Sequence, residues 1–283
     1  MNDRKTYIMK RLTEHYEYLQ KKGYTVVCLM LQGSQNYGLD EYSDEYQSDI
    51  DSKAIVLPDF RDIVYEKPAV SAVEILENGE HIDVKDIRVM FEMFEKQNLS
   101  YIELLYTDFR IINPHYADLI SPIFMFRSDI AALNRNQFLR CILGMSGNKV
   151  KALCHPYPNL MDKINKYGFD GKQLSHCARL YELTMKVIKG LPLEECYPCV
   201  QFHDICMNYK KQLAADGSRY LTQEEAIELC AKYFDLTDAL VRSNLLPHDE
   251  VNTDTIKWMD EIKYNVLRRK FMEDICNEEI KFR

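Results

Sequence analysis

Tyr24-Thr25-Val26-Val27-Cys28-Leu29-Met30-Leu31 runs straight into Gln32-Gly33-Ser34, and the reading of this junction decides the fold. The run is β-branched and apolar at consecutive positions, which predicts a strand buried on both faces. The glycine–serine pair ends it in a turn. Upstream, Ile8, Leu12, His15 or Tyr16, and Leu19 recur at helical spacing between Arg4 and Lys21, an amphipathic helix that Gly23 closes. Downstream, a polar turn leads to a second predicted strand, Asp49 to Leu57, stopped by Pro58. Ile63, Val64, Val73, Ile75, Ile82 and Val84 alternate in pieces and predict further strands of the same sheet. Ile87, Met90, Phe91 and Phe94 predict a helix across Asp86 to Lys96.

From about residue 113 the strand signals fade. Helical periodicity takes over through 135–153, 172–190, 199–214, 222–243 and 254–280, punctuated by Gly190-Leu191-Pro192 and Leu246-Pro247. The expected fold class is therefore α+β. A mixed sheet with flanking helices should occupy residues 1–125 and a helical bundle residues 126–283, with a cleft between them.

Composition narrows the class of function. The chain has 283 residues, of which 46% are hydrophobic and 28% charged, ordinary for a soluble globular protein with ample core. Its apolar runs fall far short of the ~20 residues a membrane helix needs. The charged start lacks the apolar core of a secretory signal. Nine cysteines, an odd number, fit free thiols in a reducing cytoplasm. A net charge of −8 speaks against general binding of duplex DNA. Yet charge is unevenly spread. Residues 149–189 carry eight Lys/Arg against three acids, whereas residues 40–51 carry six carboxylates and no base. An acidic wall and a basic segment together suit a metal and a polyphosphate.

The chemistry-bearing residues are Gly33-Ser34, Asp49-Ile50-Asp51 and Asp83. On a strand, side chains two apart share a face, so Asp49 and Asp51 project together while Ile50 turns into the core. Adjacent carboxylates repel, and a divalent cation with a taste for hard oxygen ligands, Mg2+ or Mn2+, removes that penalty. Asp83, from a neighbouring strand, is the expected third ligand. Two such ions can activate an attacking hydroxyl and stabilise a leaving pyrophosphate. Gly33 lets the backbone approach a phosphate closely, and the Ser34 hydroxyl adds a donor. Taken singly, a Gly-Ser turn is usually only a turn, and Asp-x-Asp occurs by chance on exposed strands. Their joint order is what carries meaning.

At these residues the sequence resembles the nucleotidyltransferases of the DNA polymerase beta superfamily, in particular a bacterial and phage branch of predicted nucleotidyltransferases. Gly33-Ser34-Gln35-Asn36-Tyr37-Gly38 before Ser48-Asp49-Ile50-Asp51 matches the turn and the first two carboxylates, and Asp83 the third. Asn98-Leu99-Ser100-Tyr101-Ile102-Glu103-Leu104 matches a later stretch, with Leu99 in place of the usual proline. Lys172-x-x-x-His176-x-x-Arg179-Leu180 and Leu246-Pro247 match features of the second domain, so the likeness spans about 24–250. The spacing from Ser34 to Asp49 exceeds that of most members, through an acidic insert at 40–46.

The resemblance implies transfer of a nucleoside monophosphate from an NTP to an acceptor hydroxyl with release of pyrophosphate. Asp49, Asp51 and Asp83 would hold the metals, and Gly33 and Ser34 the phosphates. Asp83 would also help deprotonate the acceptor. Lys172, His176 and Arg179 form one stripe of a helix, either as phosphate contacts or as a solvated basic face. Lys53 shares the carboxylate face, paired with Asp51 or touching phosphate. Tyr37 would stack on a nucleobase, and Glu103 would position a base or ribose unless it is a plain surface acid. The acceptor is not readable; an RNA end, such as that of a tRNA, or a protein side chain ranks above a small molecule. The rival reading is a non-catalytic NTP/Mg-binding sensor or interaction protein. Cys196, Cys199, His203 and Cys206 cluster in sequence and have the residue types of a zinc site, but buried thiols are the favoured reading.

Overall fold

The computed structural model describes residues 2–41, 48–213 and 217–281. In chain order the elements are α1 (Asn2–Lys21), β1 (Thr25–Gln32), β2 (Asp51–Leu57), α2 (Phe60–Val64), β3 (Ser71–Ile75), β4 (His81–Asp86), α3 (Ile87–Glu95), α4 (Leu99–Ile102), β5 (Arg110–Ile112), α5 (Ala117–Met125) and α6 (Arg127–Ala131). There follow α7 (Arg135–Ala152), α8 (Met161–Tyr167), α9 (Gly171–Ile188), α10 (Leu193–Cys196), α11 (His203–Lys211), α12 (Gln223–Asn244) and α13 (Thr253–Lys281). The fold is α+β, a mixed sheet followed by helices, as its patterning predicts.

Two units divide the chain: Met1–Asn36 with Glu41–Asn134 and Glu250–Arg283, and Tyr37–Asp40 with Arg135–Asp249. This differs from one boundary at 125/126. Residues 126–134 and the whole of α13 group with the sheet, because α13 packs on α2, α3 and α5 and buries Met259, Ile262 and Val266. Periodicity announces that helix but not the surface it covers.

The first unit holds the sheet, ordered β3-β4-β2-β1-β5. β1 is antiparallel to β2 and β5, β2 is parallel to β4, and β3 is antiparallel to β4. An irregularity between Val26 and Cys28 shifts the register of β1. Val26, Leu29 and Leu31 therefore share one face and pack with Ala54, Val56, Ile82 and Val84 in one core with Ile8, Leu12 and Leu19 of α1. On the opposite side Cys28, Met30 and Ile55 meet Met90, Phe94, Ile120 and Phe124. Burial on both faces explains the unbroken apolar run of β1. Ile63 and Val64, expected in a strand, lie in α2, where Val64 is 57% exposed and adds no sheet burial.

The second unit is helical. Phe169, Leu174, Cys177 and Ala178 pack with Tyr209, Cys230 and Tyr233, and Tyr37 and Leu39 join that core. Asp170 caps α9, its Oδ1 accepting from the Lys172 N–H at 3.1 Å, and Thr222 with Glu225 forms a capping box on α12. Asn136, almost fully buried, accepts from the Leu246 N–H at 2.8 Å and donates to the Leu246 carbonyl at 3.0 Å, pinning the turn that enters Pro247. α9 starts on Gly171, which lies against the Tyr209 carbonyl of α11. Among the described residues no helix is long and apolar enough to cross a membrane.

Candidate active site

Gly33 has φ +108°, a conformation open to glycine and costly to other residues. It turns the chain out of β1 into a short 3-10 segment, Ser34–Tyr37. The turn is braced. The Gly33 carbonyl accepts from the Asn36 N–H at 3.1 Å, Asn36 Nδ2 donates to the Leu31 carbonyl at 2.9 Å, and Thr107 Oγ1 donates to Asn36 Oδ1 at 2.8 Å.

The carboxylates sit one strand over. Gln32, the last residue of β1, is paired with Asp51, the first of β2, which puts the turn and the acidic run at the same end of the two strands. Ile50 is buried in the α1-side core with Ala54 and Val56, so alternation leaves Asp49 and Asp51 directed away from it. Gln35 Nε2 donates to the Asp49 carbonyl at 2.6 Å and ties the turn to this run. Asp51 Oδ1 accepts from the His81 N–H at 3.1 Å. Asp49 is exposed and Asp51 half-buried. Most of the acidic insert at 40–46, including Asp44 and Glu45, lies outside the described residues.

Asp83 departs from expectation. It is in register with Lys53 across the parallel β2–β4 pair. Its Oδ2 takes the Lys53 ammonium and its Oδ1 the Lys85 ammonium, the latter at 3.0 Å. Lys53 is buried, 3% exposed, with its ammonium 4.4 Å from the centre of the Tyr101 ring. Burial lowers the Lys53 pKa, and the hydrogen bond and charge of Asp83 oppose that shift. Thus Lys53 pairs with Asp83 rather than Asp51. Among the described residues no three His, Cys, Asp or Glu side chains gather into a metal-holding group. Asp49 and Asp51 keep the donor chemistry a hard cation wants, with no Lys or Arg ion pair among the described residues. Asp83, engaged on both oxygens, does not fit as the third ligand in this arrangement.

Other candidates also move. Tyr37 is 5% exposed, and the Arg179 guanidinium lies 3.7 Å from the centre of its ring, so stacking on a nucleobase is not the use this ring is put to here. Arg179 itself is buried at 3% exposure, whereas Lys172 is exposed and His176 half-buried on the same helix. Glu103 is buried rather than a surface acid, and its charge helps keep Lys53 protonated. Asn98 caps α4 by accepting from the Ser100 N–H at 3.0 Å, which gives the Asn-x-Ser match a structural role. All nine cysteines are free. The four candidate zinc ligands do not converge as a set: Cys196 donates to the Leu191 carbonyl, Cys199 to Glu182 and the Cys206 sulfur, Cys206 to the Ser175 carbonyl, and His203 pairs with Asp204.

Sequence reading missed the groups that fix the acidic run from behind. His15 of α1 bonds Ser52 Oγ and Glu80 Oε2, both at 2.9 Å, while Arg11 adds a second grip on Glu80. Glu80 also accepts from the Ile50 N–H at 3.4 Å. His15 and Ser52 are at most 1% exposed. Nothing local in sequence joins positions 15, 52 and 80. Burial pushes the Glu80 carboxyl up, but bonds from His15, Arg11 and Asn78 outweigh it and bring the group to about 2. A depressed carboxylate stabilises the fold above its unfolded value and loses that contribution as pH falls toward 2. Glu80→Gln should therefore cost about 3 kcal/mol at pH 7, the scale of breaking a buried pair. The deficit should shrink between pH 4.5 and 2. Denaturant titrations across that range measure it, and a pH-independent deficit would argue against the charged network.

No protein-family model and no curated protein sequence matches the chain. Among solved structures, a nucleotidyltransferase-like protein from Exiguobacterium sibiricum 255-15 is similar at 14% identity, over 83% of this chain and 75% of its own length, with a TM-score of 0.30.

Proposed function

We propose that this protein is a metal-dependent nucleotidyltransferase, moving a nucleoside monophosphate from an NTP to an acceptor hydroxyl. The observation that carries the reading is the β1–β2 junction, where a positive-φ glycine turn and the Asp49–Asp51 run meet at one sheet end and are tied through Gln35. Gly33, with no side chain, leaves its turn open to close approach by a phosphate, and Ser34 supplies a hydroxyl donor. Asp49 and Asp51 would hold Mg2+ or Mn2+ arriving with the triphosphate, which offsets charge on the phosphates as the bond breaks. The acceptor oxygen bonds to the α-phosphorus, the α–β bridge breaks with its electron pair, and pyrophosphate leaves. The acceptor's proton passes to Asp49 or Asp51, the carboxylates on this run with no Lys or Arg ion pair among the described residues. An RNA end or a protein side chain is the favoured acceptor, in a cytoplasmic setting.

One observation favours the alternative of an NTP/Mg-binding sensor: Asp83 is held by two lysines. Incubation with Mg2+ and each NTP in turn, with an α-phosphate label and a cell extract, separates the two. Transfer predicts pyrophosphate release and covalent label on a macromolecule. Saturable NTP binding with neither would favour the sensor and defeat the transfer reading.

A further inference from the structure

Ala54, Val56, Ile82 and Val84 face the core that α1 covers, so alternation turns Asp51, Lys53 and Ile55 of β2 and His81, Asp83 and Lys85 of β4 to the opposite face of the sheet. Ile55 belongs there to the apolar layer beneath α3 and α5. The outer end of this face therefore presents Asp51, then the Lys53 ammonium with Asp83 in register beside it. Asp51 uses Oδ1 alone, against the His81 N–H at 3.1 Å and the His81 Nδ1 at 3.5 Å. Its Oδ2 has no hydrogen bond or ion pair among the described residues. Asp83 differs, because Lys53 holds one of its oxygens and Lys85 the other.

Lys53 is built into its place. It is buried, and the Tyr101 ring lies against the ammonium. The charge of Glu103 adds to that of Asp83. Tyr101 and Glu103 are themselves buried, on α4 and the turn that follows it, a segment that Asn98 starts by capping α4. Two carboxylates and an aromatic face make a cation pocket that the chain fills with its own ammonium. A divalent ion reaching Asp83 would have to displace both lysines and leave the Lys53 charge buried beside its own.

We propose that the site takes one divalent cation, held by Asp49 and Asp51, and that the Lys53 ammonium, clamped by Asp83, is a built-in positive charge in place of a second. An ammonium is a hydrogen-bond donor with no exchangeable ligand shell, so this half of the site needs no ion from solution. The inference rests on the nucleotidyl-transfer reading for the first ion and adds the number of ions to it.

The test is electron paramagnetic resonance of Mn2+ bound to the full chain, with the α,β-methylene analogue of each NTP present to supply a triphosphate without turnover. The expected spectrum is that of an isolated ion. Two ions about 4 Å apart would couple magnetically, and a coupled spectrum from the wild type would overturn the inference. Asp51→Asn should weaken Mn2+ binding by at least about tenfold. The double variant Asp83→Asn/Lys53→Met, which removes both members of the buried pair together, should keep the wild-type Mn2+ affinity; a loss matching that of Asp51→Asn would show Asp83 to be a ligand and overturn the inference. Lys53→Met/Lys85→Met frees Asp83 and should admit a second, coupled Mn2+, and a lone ion there would overturn the replacement role of Lys53. A coupled pair in the wild type together with pyrophosphate release from NTPs sinks this inference alone. Failure to bind Mn2+ with any analogue sinks the transfer reading, and this inference with it.

Discussion

Gly171→Ala should lower the melting temperature by about 10 °C, although alanine is the better helix former by about 1 kcal/mol. A methyl group built on Gly171 would collide with the Tyr209 carbonyl oxygen. That atom belongs to the backbone of α11, so relief requires α9 and α11 to separate. Parting them opens the core that Leu174, Cys177 and Tyr209 share. The cost should be about 4 kcal/mol, the range where a named steric cause is needed. Gly144→Ala is the matched control. It lies mid-α7 with nothing near an added methyl, and should be neutral or slightly stabilising. If Gly171→Ala melts like the parent in a circular-dichroism scan, this packing account of α9 and α11 is mistaken.

Asp51→Asn should reduce pyrophosphate release by about a thousandfold, since several kcal/mol of charge stabilisation is at stake and each 1.4 kcal/mol is a factor of ten. The melt should barely change, because an asparagine oxygen still accepts the His81 N–H. Asp83→Asn should behave differently. Removing its charge strands Lys53 in a buried place, costing about 3 kcal/mol of stability. Adding Lys53→Met should recover most of it. Full turnover in Asp51→Asn would sink the enzyme reading. An undisturbed melt in Asp83→Asn, together with a changed metal requirement, would restore Asp83 as a ligand.

Much of the fold is legible because period carries it. The doubly apolar β1, the amphipathic α1 and the inward turn of Ile50 follow from side-chain alternation and burial. The Gly33 turn is equally legible, since positive φ selects glycine. What was hidden is pairwise and long-range. That Lys53 faces Asp83 depends on parallel register between β2 and β4, which no local pattern fixes. The His15–Ser52–Glu80 network joins three elements far apart in sequence. Tyr37 looked available because an aromatic after a phosphate turn invites stacking, but Arg179 from α9 covers it.

The main body of the second unit, Arg135–Asp249, interrupts the first. On one side of each junction the Asn252 N–H donates to the Leu133 carbonyl at 3.0 Å, and on the other Asn136 grips Leu246. Entry and exit are thus stitched shut independently, the architecture of a cassette carried inside a host. Excision of 135–249 with a brief spacer, or its replacement by a foreign helical module, becomes a realistic protein-engineering route. The small remainder at Tyr37–Asp40 would then be a plug without its socket.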